Sequence, residues 1–267
     1  MLKNITELGP REAEFVSLIA TKAGKVFSVR DAIEFWKLPQ IARNKLSRLE
    51  KKGWIARIER GKYLVIPLEA GPQRYWSVNS MLLAAQLAQP ACIAYWSAMR
   101  FWNWTEQLPR IIYVQTTQRK TTQQKSVMGM RFEIVTVSPS KFFGYSKQWE
   151  GETCFFVTDK EKTLIDCAAQ PKRCGGIEEL SKAVKYALAE INFAKLDEYT
   201  LRFKNGAVRK RLGYLFEASG DQSSAEMGKI LENWQNQLSA GVVPLLPNGS
   251  AKGKIKTRWR LRINTKI

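Results

Sequence analysis

The side chains able to do chemistry in this chain are few, and their spacing excludes more than it offers. Histidine is absent from all 267 residues. That removes imidazole bases, Ser-His-Asp and Cys-His nucleophile pairs, and His-containing metal sites. Cys92, Cys154, Cys167 and Cys174 are widely spaced and form no CxxC pair. No zinc site is expected, and free thiols fit a reducing, cytoplasmic location. Asp159, Glu161 and Asp166 are the carboxylates that a metal-dependent nuclease could cluster. They lie where Thr158, followed three residues later by Glu161, reads as a capping box opening a helix. The only acid-x-lysine run is Glu50-Lys51-Lys52, inside a basic helix and in the wrong place for nuclease chemistry. No catalytic residue, metal or cofactor is therefore expected.

The chemistry that remains is recognition of phosphates and base edges by cations and amides. It concentrates in Leu38 to Pro67. Pro39 suits the first turn of a helix, Ala42, Leu46 and Leu49 make one apolar face, and Gly53 is placed to end it. Trp54–Ile58 and Lys62–Ile66 read as two strands, turned by Glu59-Arg60-Gly61. Upstream, Pro10–Ala20 predicts a helix broken at Gly24, and Val29–Trp36 a second with Ser28 as its N-cap. The order α, α, α, β, β over residues 1–67 is that of a winged helix-turn-helix, whose third helix enters the major groove. Gln40, Arg43, Asn44, Lys45, Ser47 and Arg48 are the side chains this helix could offer to DNA. Arg43, Asn44 and Lys45 are the candidate base readers, because Arg pairs with guanine and Asn with adenine. Lys51, Lys52, Arg57, Arg60 and Lys62 are expected to hold phosphates, which positions the protein without specifying sequence.

Charge supports that reading. The net charge is +19, and its distribution is uneven. Residues 1–70 carry fourteen basic against eight acidic side chains, and 71–150 nine against three. Residues 151–240 balance at thirteen each, and 241–267 carry seven bases and no acid. Such a surface favours nucleic acid or an acidic partner. Apolar content of 45% predicts a folded chain, and no run approaches the ~18 apolar residues of a membrane span. No signal pattern opens the chain. The expected organisation is α+β: a winged helix-turn-helix at 1–68, a linker at 69–76 and a larger mixed α/β domain at 77–267 with a basic tail strand at 251–267.

In that larger part, Ser77–Ala88 and Ala91–Trp104 are predicted helices. The aromatics Tyr95, Trp96, Phe101, Trp102 and Trp104 read as core, not as a base-stacking platform. Arg110–Thr117, Met130–Val137 and Thr153–Val157 read as strands, and Thr116–Ser126 as a polar basic loop. Helices follow at 177–189, 193–203, 206–219 and 226–238. Thr257–Asn264 alternates as a strand that would put Arg258, Arg260 and Arg262 on one face and Trp259, Leu261 and Ile263 on the other. That arginine row is either a charge-protected edge or a docking surface for an acidic partner or RNA.

An ordered set of motifs adds to this. They are Tyr95-Trp96-Ser97-Ala98, Gln107-Leu108-Pro109, Ile111 to Val114, Phe156 to Asp166, Gly175-Gly176-Ile177 and Arg211 to Glu217. With the N-terminal winged helix they resemble the AbiEi family of antitoxins and transcriptional regulators from abortive-infection toxin–antitoxin modules. Lys160 and Lys162 stand where that family often has Pro and Arg. The resemblance implies a non-enzymatic repressor of its own operon; a winged-helix repressor that reads a palindrome is expected on inverted repeats of operator DNA, as a dimer or as two monomers. It also implies a second domain that counteracts a nucleotidyltransferase-like toxin, directly or indirectly. From the residues alone, a winged-helix DNA-processing enzyme and an RNA-binding module using 116–126 and the arginine row remain open.

Overall fold

The computed structural model describes residues 7–22, 25–67, 70, 79–120, 122–220 and 225–267. Three helices, α1 (Pro10–Ala20), α2 (Val29–Trp36) and α3 (Pro39–Lys51), pack on a sheet of β1 (Val26–Ser28), β2 (Ile55–Glu59) and β3 (Lys62–Val65), in the order β1-β3-β2. Ser28 caps α2 by accepting from the Asp31 N–H, while Asp31 accepts from the Ser28 N–H. The sequence did not announce β1, because three residues before a helix cap are too short for an alternation signal. Phe15, Ile19, Phe27, Ala32, Ala42, Leu46, Leu49, Ile55, Tyr63 and Val65 form the core of this lobe.

The second lobe is built on a mixed six-stranded sheet. Its strands are β4 (Cys92–Ile93), β5 (Ile111–Thr116), β6 (Gln124–Val127), β7 (Met130–Thr136), β8 (Tyr145–Glu150) and β9 (Thr153–Thr158), ordered β6-β7-β5-β4-β9-β8. Alternate residues point to opposite faces. Tyr113 and Val135 face a core shared with α5 (Tyr95–Phe101), α6 (Lys160–Ala169), α7 (Gly176–Ala187), α8 (Phe193–Phe203), α9 (Gly206–Ala218) and α10 (Ala225–Asn236). Val114, Phe132, Ile134, Phe155 and Val157 face the other way, against α4 (Ser80–Ala85). Ile58 and Leu64, from the back of the winged-helix sheet, belong to that same cluster. The architecture is α+β, a winged helix followed by a larger mixed α/β lobe.

Several sequence expectations need correction. Residues 91–104 are not one helix: Cys92–Ile93 is the central strand β4, and the helix begins at Tyr95. β8 was missed, because its burial pattern is largely open on both faces. The end of the expected 116–126 loop, Gln124 to Ser126, belongs to strand β6, paired with β7. The N-cap of α6 is Asp159, which accepts from the Lys162 N–H, not Thr158. Thr158 is buried and bonds Thr163, while Glu161 accepts from the Asn192 N–H. Of the expected linker 69–76 only Ala70 lies among the described residues, and Ser77, Val78 and Gly24 lie outside them. The aromatics at 95–104 are core as expected: Tyr95 is 1% and Trp104 0% exposed.

The tail is not one strand. Of the predicted 257–264 strand, Thr257–Trp259 is a turn of 3₁₀ helix, Arg260 is left-handed at φ 49°, and Leu261–Ile263 (β12) is the extended part. β12 lies between β10 (Val243–Pro244) and β11 (Lys254–Lys256). The break at Arg260 disrupts the predicted arginine row. Arg258 pairs with Glu217 at 3.2 Å, and Arg260 donates to the Leu238 and Ser239 carbonyls at 3.1 Å. α9 holds this tail. The Arg211 guanidinium, 4% exposed, donates to the carbonyls of Ala168, Pro244 and Leu245. Burial brings its pKa down to about 10. Gly213 is required because a Cβ there would lie 2.1 Å from the Trp259 ring. The Trp259 indole N–H donates to Glu217.

Candidate nucleic-acid interface

The apolar stripe Ala42, Leu46, Leu49, each at most 1% exposed, rolls α3 so that its opposite side meets solvent. Gly53, at φ 77°, ends the helix. Its N–H donates to the Glu50 carbonyl, and the Trp54 N–H donates to Leu49. This crossed pair is a Schellman closure, and it launches β2 directly from the helix end. Gln40, Arg43, Asn44, Ser47, Arg48 and Lys51 are all exposed. At 100° per residue, Gln40, Asn44, Ser47 and Lys51 line the side opposite the stripe, with Arg43 and Arg48 flanking it. None of Arg43, Arg48 and Lys51 pairs with an acid among the described residues.

Lys45 and Lys52 are placed differently. Both turn off the outer face toward α1, where Glu12 is only 4% exposed. Lys45 Nζ lies 3.0 Å and Lys52 Nζ 3.1 Å from the Glu12 carboxylate. Burial by itself would raise the Glu12 pKa, but these two hydrogen bonds and the Gly9 N–H hold it below its ordinary value. Lys45, read from the sequence as a base reader, therefore joins α3 to α1.

The wing's cations also divide. Arg60 sits exposed at the turn before Gly61, whose φ is 79°. Arg57 is exposed, and its guanidinium donates to the Tyr63 hydroxyl at 2.9 Å. Lys62, by contrast, donates to the Gln86 carbonyl of the second lobe at 2.7 Å. Burial lowers its pKa, as befits an ammonium at a lobe junction. Glu59, beside the wing turn, pairs with Lys125 at 2.6 Å and approaches Lys120 at 3.9 Å. Two exposed cations that sequence reasoning passed over also lie near α3 in the chain. They are Arg30 on α2 and Lys37 at the left-handed corner (φ 65°) between α2 and α3. Their only sequence signal is position next to the helix-turn-helix corner.

The carboxylates considered for nuclease chemistry are committed elsewhere. Asp159 caps α6 and takes the Tyr199 hydroxyl at 3.0 Å and the Lys195 ammonium at 3.1 Å. Asp166 is buried against Lys162 and accepts from Gln115 at 2.8 Å. Burial raises its pKa in spite of the lysine. Among the described residues no cluster of acids, cysteines or histidines could hold a metal, and no helix is long and apolar enough to cross a membrane.

Comparison with known proteins finds one likeness of structure and one of sequence. The crystal structure of the RV2827C protein from Mycobacterium tuberculosis superposes at a TM-score of 0.66 and 15% sequence identity, covering 96% of this chain and 92% of that one. The likeness is one of fold. No curated protein matches the sequence significantly. Residues 16–66 match the family described as transcriptional regulator, AbiEi antitoxin, so over the winged-helix segment the chain carries the signature of the AbiEi regulators.

Proposed function

We propose that this protein is an autoregulatory repressor and antitoxin that binds operator DNA through α3 and the wing. The observation that carries the reading is the sorting of cations around α3. Gln40, Arg43, Asn44, Ser47, Arg48 and Lys51 stand exposed on its outer side, while Lys45 and Lys52 are spent on Glu12. In this reading Arg43 and Asn44 read bases, and Arg48, Lys51, Arg57 and Arg60 hold phosphates. The reader spans 1–68, the linker 69–76, and the antitoxin part 77–267. Its partners are the operator and a nucleotidyltransferase-like toxin encoded beside it. The match of residues 16–66 to a family of antitoxin regulators supports both roles.

The test is binding of the full chain to a duplex covering the region upstream of its own gene. Arg43→Ala with Asn44→Ala is expected to cost about 1–3 kcal/mol of discrimination for each base no longer read. Protection from the co-expressed toxin should persist. Undiminished affinity and discrimination in the double variant would remove α3 as the reader. Loss of toxin protection by the same variant, with its fold intact, would refute the division of labour.

A further inference from the structure

In the second lobe, the corner between α8 and α9 encloses a cavity. α8 stops where Lys204 turns left-handed at φ 52°, and Asn205 caps α9 by accepting the Ala207 N–H at 3.1 Å. The loop after α10 closes over this corner and is held from two sides. Arg260 donates to the Leu238 and Ser239 carbonyls, and Lys210 donates to the Gly241 carbonyl at 2.7 Å. The cavity left between corner and loop has a volume of about 130 Å³. Thr200, Lys204, Gly206, Arg209, Gln237 and Ser239 line it, and no carboxylate does among the described residues.

We infer that this cavity binds a phosphate group, presented by free phosphate or by a small phosphate ester such as a nucleotide. The inference does not depend on the reading of α3 as a duplex binder. Arg209 carries most of the argument. Its guanidinium, 11% exposed, donates through Nε to the Thr200 hydroxyl at 3.0 Å and through Nη1 to the Gln237 side chain at 3.2 Å. Those two bonds fix the group along the lining. Its Nη2 is buried without a hydrogen-bond acceptor, and the Asp197 carboxylate at 3.9 Å is out of hydrogen-bonding reach. Asp197 takes the Trp234 indole N–H instead. A buried donor of this kind is costly until an acceptor fills the site. Three further donors are uncommitted. Lys204 has no acidic partner, and the Ser239 hydroxyl and the Gly206 N–H have no acceptor, among the described residues. Glycine at 206 is what brings these together, because a Cβ there would collide with the Ser239 hydroxyl. Guanidinium, ammonium and a free N–H opening a helix are the groups that meet phosphate oxygens with charge-assisted bonds. The volume suits one tetrahedral oxyanion, and the rest of an ester would extend into solvent past the exposed Lys204.

The experiment titrates the full chain by calorimetry with inorganic phosphate, adenosine 5′-monophosphate and adenosine, at constant ionic strength in a phosphate-free buffer. The variants are Lys204→Asn/Arg209→Gln, Ser239→Ala and, as a charge control on exposed α7 surface, Lys185→Gln. Asparagine is chosen at 204 because it tolerates left-handed backbone. Phosphate and the monophosphate are expected to bind and to raise Tm, and adenosine to do neither. Lys204→Asn/Arg209→Gln should weaken both ligands about ten-fold or more, Ser239→Ala several-fold, and Lys185→Gln not at all. Equal affinity for the two ligands would support free phosphate as the source, and tighter binding of the monophosphate a nucleotide. Circular dichroism checks folding, and Ser239→Ala with Lys204→Asn alone carries the test if the double variant does not fold. No binding of either ligand at millimolar concentration would overturn the inference. So would affinities unchanged in the cavity variants, or lowered as much by Lys185→Gln, which would mean diffuse surface charge. Duplex binding weakened in the double variant, with no phosphate or monophosphate bound by wild type, would overturn it in favour of a nucleic-acid surface.

Discussion

Glu12 decides what Lys45 is for, and the geometry around it sets the size of the effect of removing it. Its carboxylate is 4% exposed and takes Lys45 at 3.0 Å and Lys52 at 3.1 Å. At an effective dielectric of about 20, each contact is about 5 kcal/mol of gross attraction, much of it offset by desolvating the carboxylate. Breaking a fully buried pair costs about 3–5 kcal/mol. Lys45 and Lys52 are 31% and 25% exposed, so water softens the loss. A net cost of about 1–3 kcal/mol is expected for Glu12→Gln. At about 2–4 °C per kcal/mol in a chain of this size, Tm should fall by several degrees at pH 7.

The pH dependence fixes the cause. The folded pKa of Glu12 is lowered from its ordinary 4.5. Its contribution is therefore full above that value and is lost as pH falls through the lower folded pKa. The Tm gap between wild type and Glu12→Gln should narrow as pH drops below 4.5. In parallel, Lys45→Met should lower Tm yet leave sequence discrimination by the reader unchanged, whereas Arg43→Ala should erode it. Calorimetry at several pH values and competitive duplex binding are the assays. Two results would refute the reasoning: a Tm indifferent to Glu12→Gln at pH 7, or discrimination lost in Lys45→Met with stability intact.

Three other perturbations have defined outcomes. Burial opposes ionisation of Asp31, but Lys22 and Ser28 outweigh it and bring its pKa to about 2; Asp31→Asn should cost about 1–2 kcal/mol at pH 7, discounted for solvent screening. That loss should vanish in thermal melts as pH falls from 3.8 toward 2. Lys162→Met strands Asp166 in the core and should cost about 3–5 kcal/mol in urea unfolding, with Lys162→Met/Asp166→Leu recovering most of it. Gly213→Ala drives a methyl group into the Trp259 ring and should loosen the tail. Trypsin should then cut faster at Lys252–Arg262; unchanged cleavage would show that the tail is held independently of α9.

Local chemistry made much of the winged helix legible. The Ser28 cap, Pro39 in the first turn, the Ala42/Leu46/Leu49 stripe and the Gly53 closure all act within a few residues, and each is found where the sequence implied. The second lobe was legible in its long helices and in β5, β7 and β9. It failed at Cys92–Ile93, where two residues of strand look like the start of the next helix, and at Arg260, where a left-handed residue interrupts an alternating run. Neither feature has enough length to show a period. The motif Arg211 to Glu217 was visible as a string. Its reason was not: Arg211, Gly213 and Glu217 each serve a tail more than thirty residues away.

Composition and local spacing establish that this chain is basic, lacks histidine chemistry, and opens with a helix and wing suited to DNA. Which cations face outward is set instead by long-range packing. Lys45 meets Glu12 from 33 positions away, Lys62 meets Gln86 from 24, and Lys125 meets Glu59 from 66. Sequence periodicity fixes which side of a helix or strand is apolar. It cannot say where a long, flexible lysine ends up, because that depends on which carboxylate or carbonyl the packed core brings within about 3 Å.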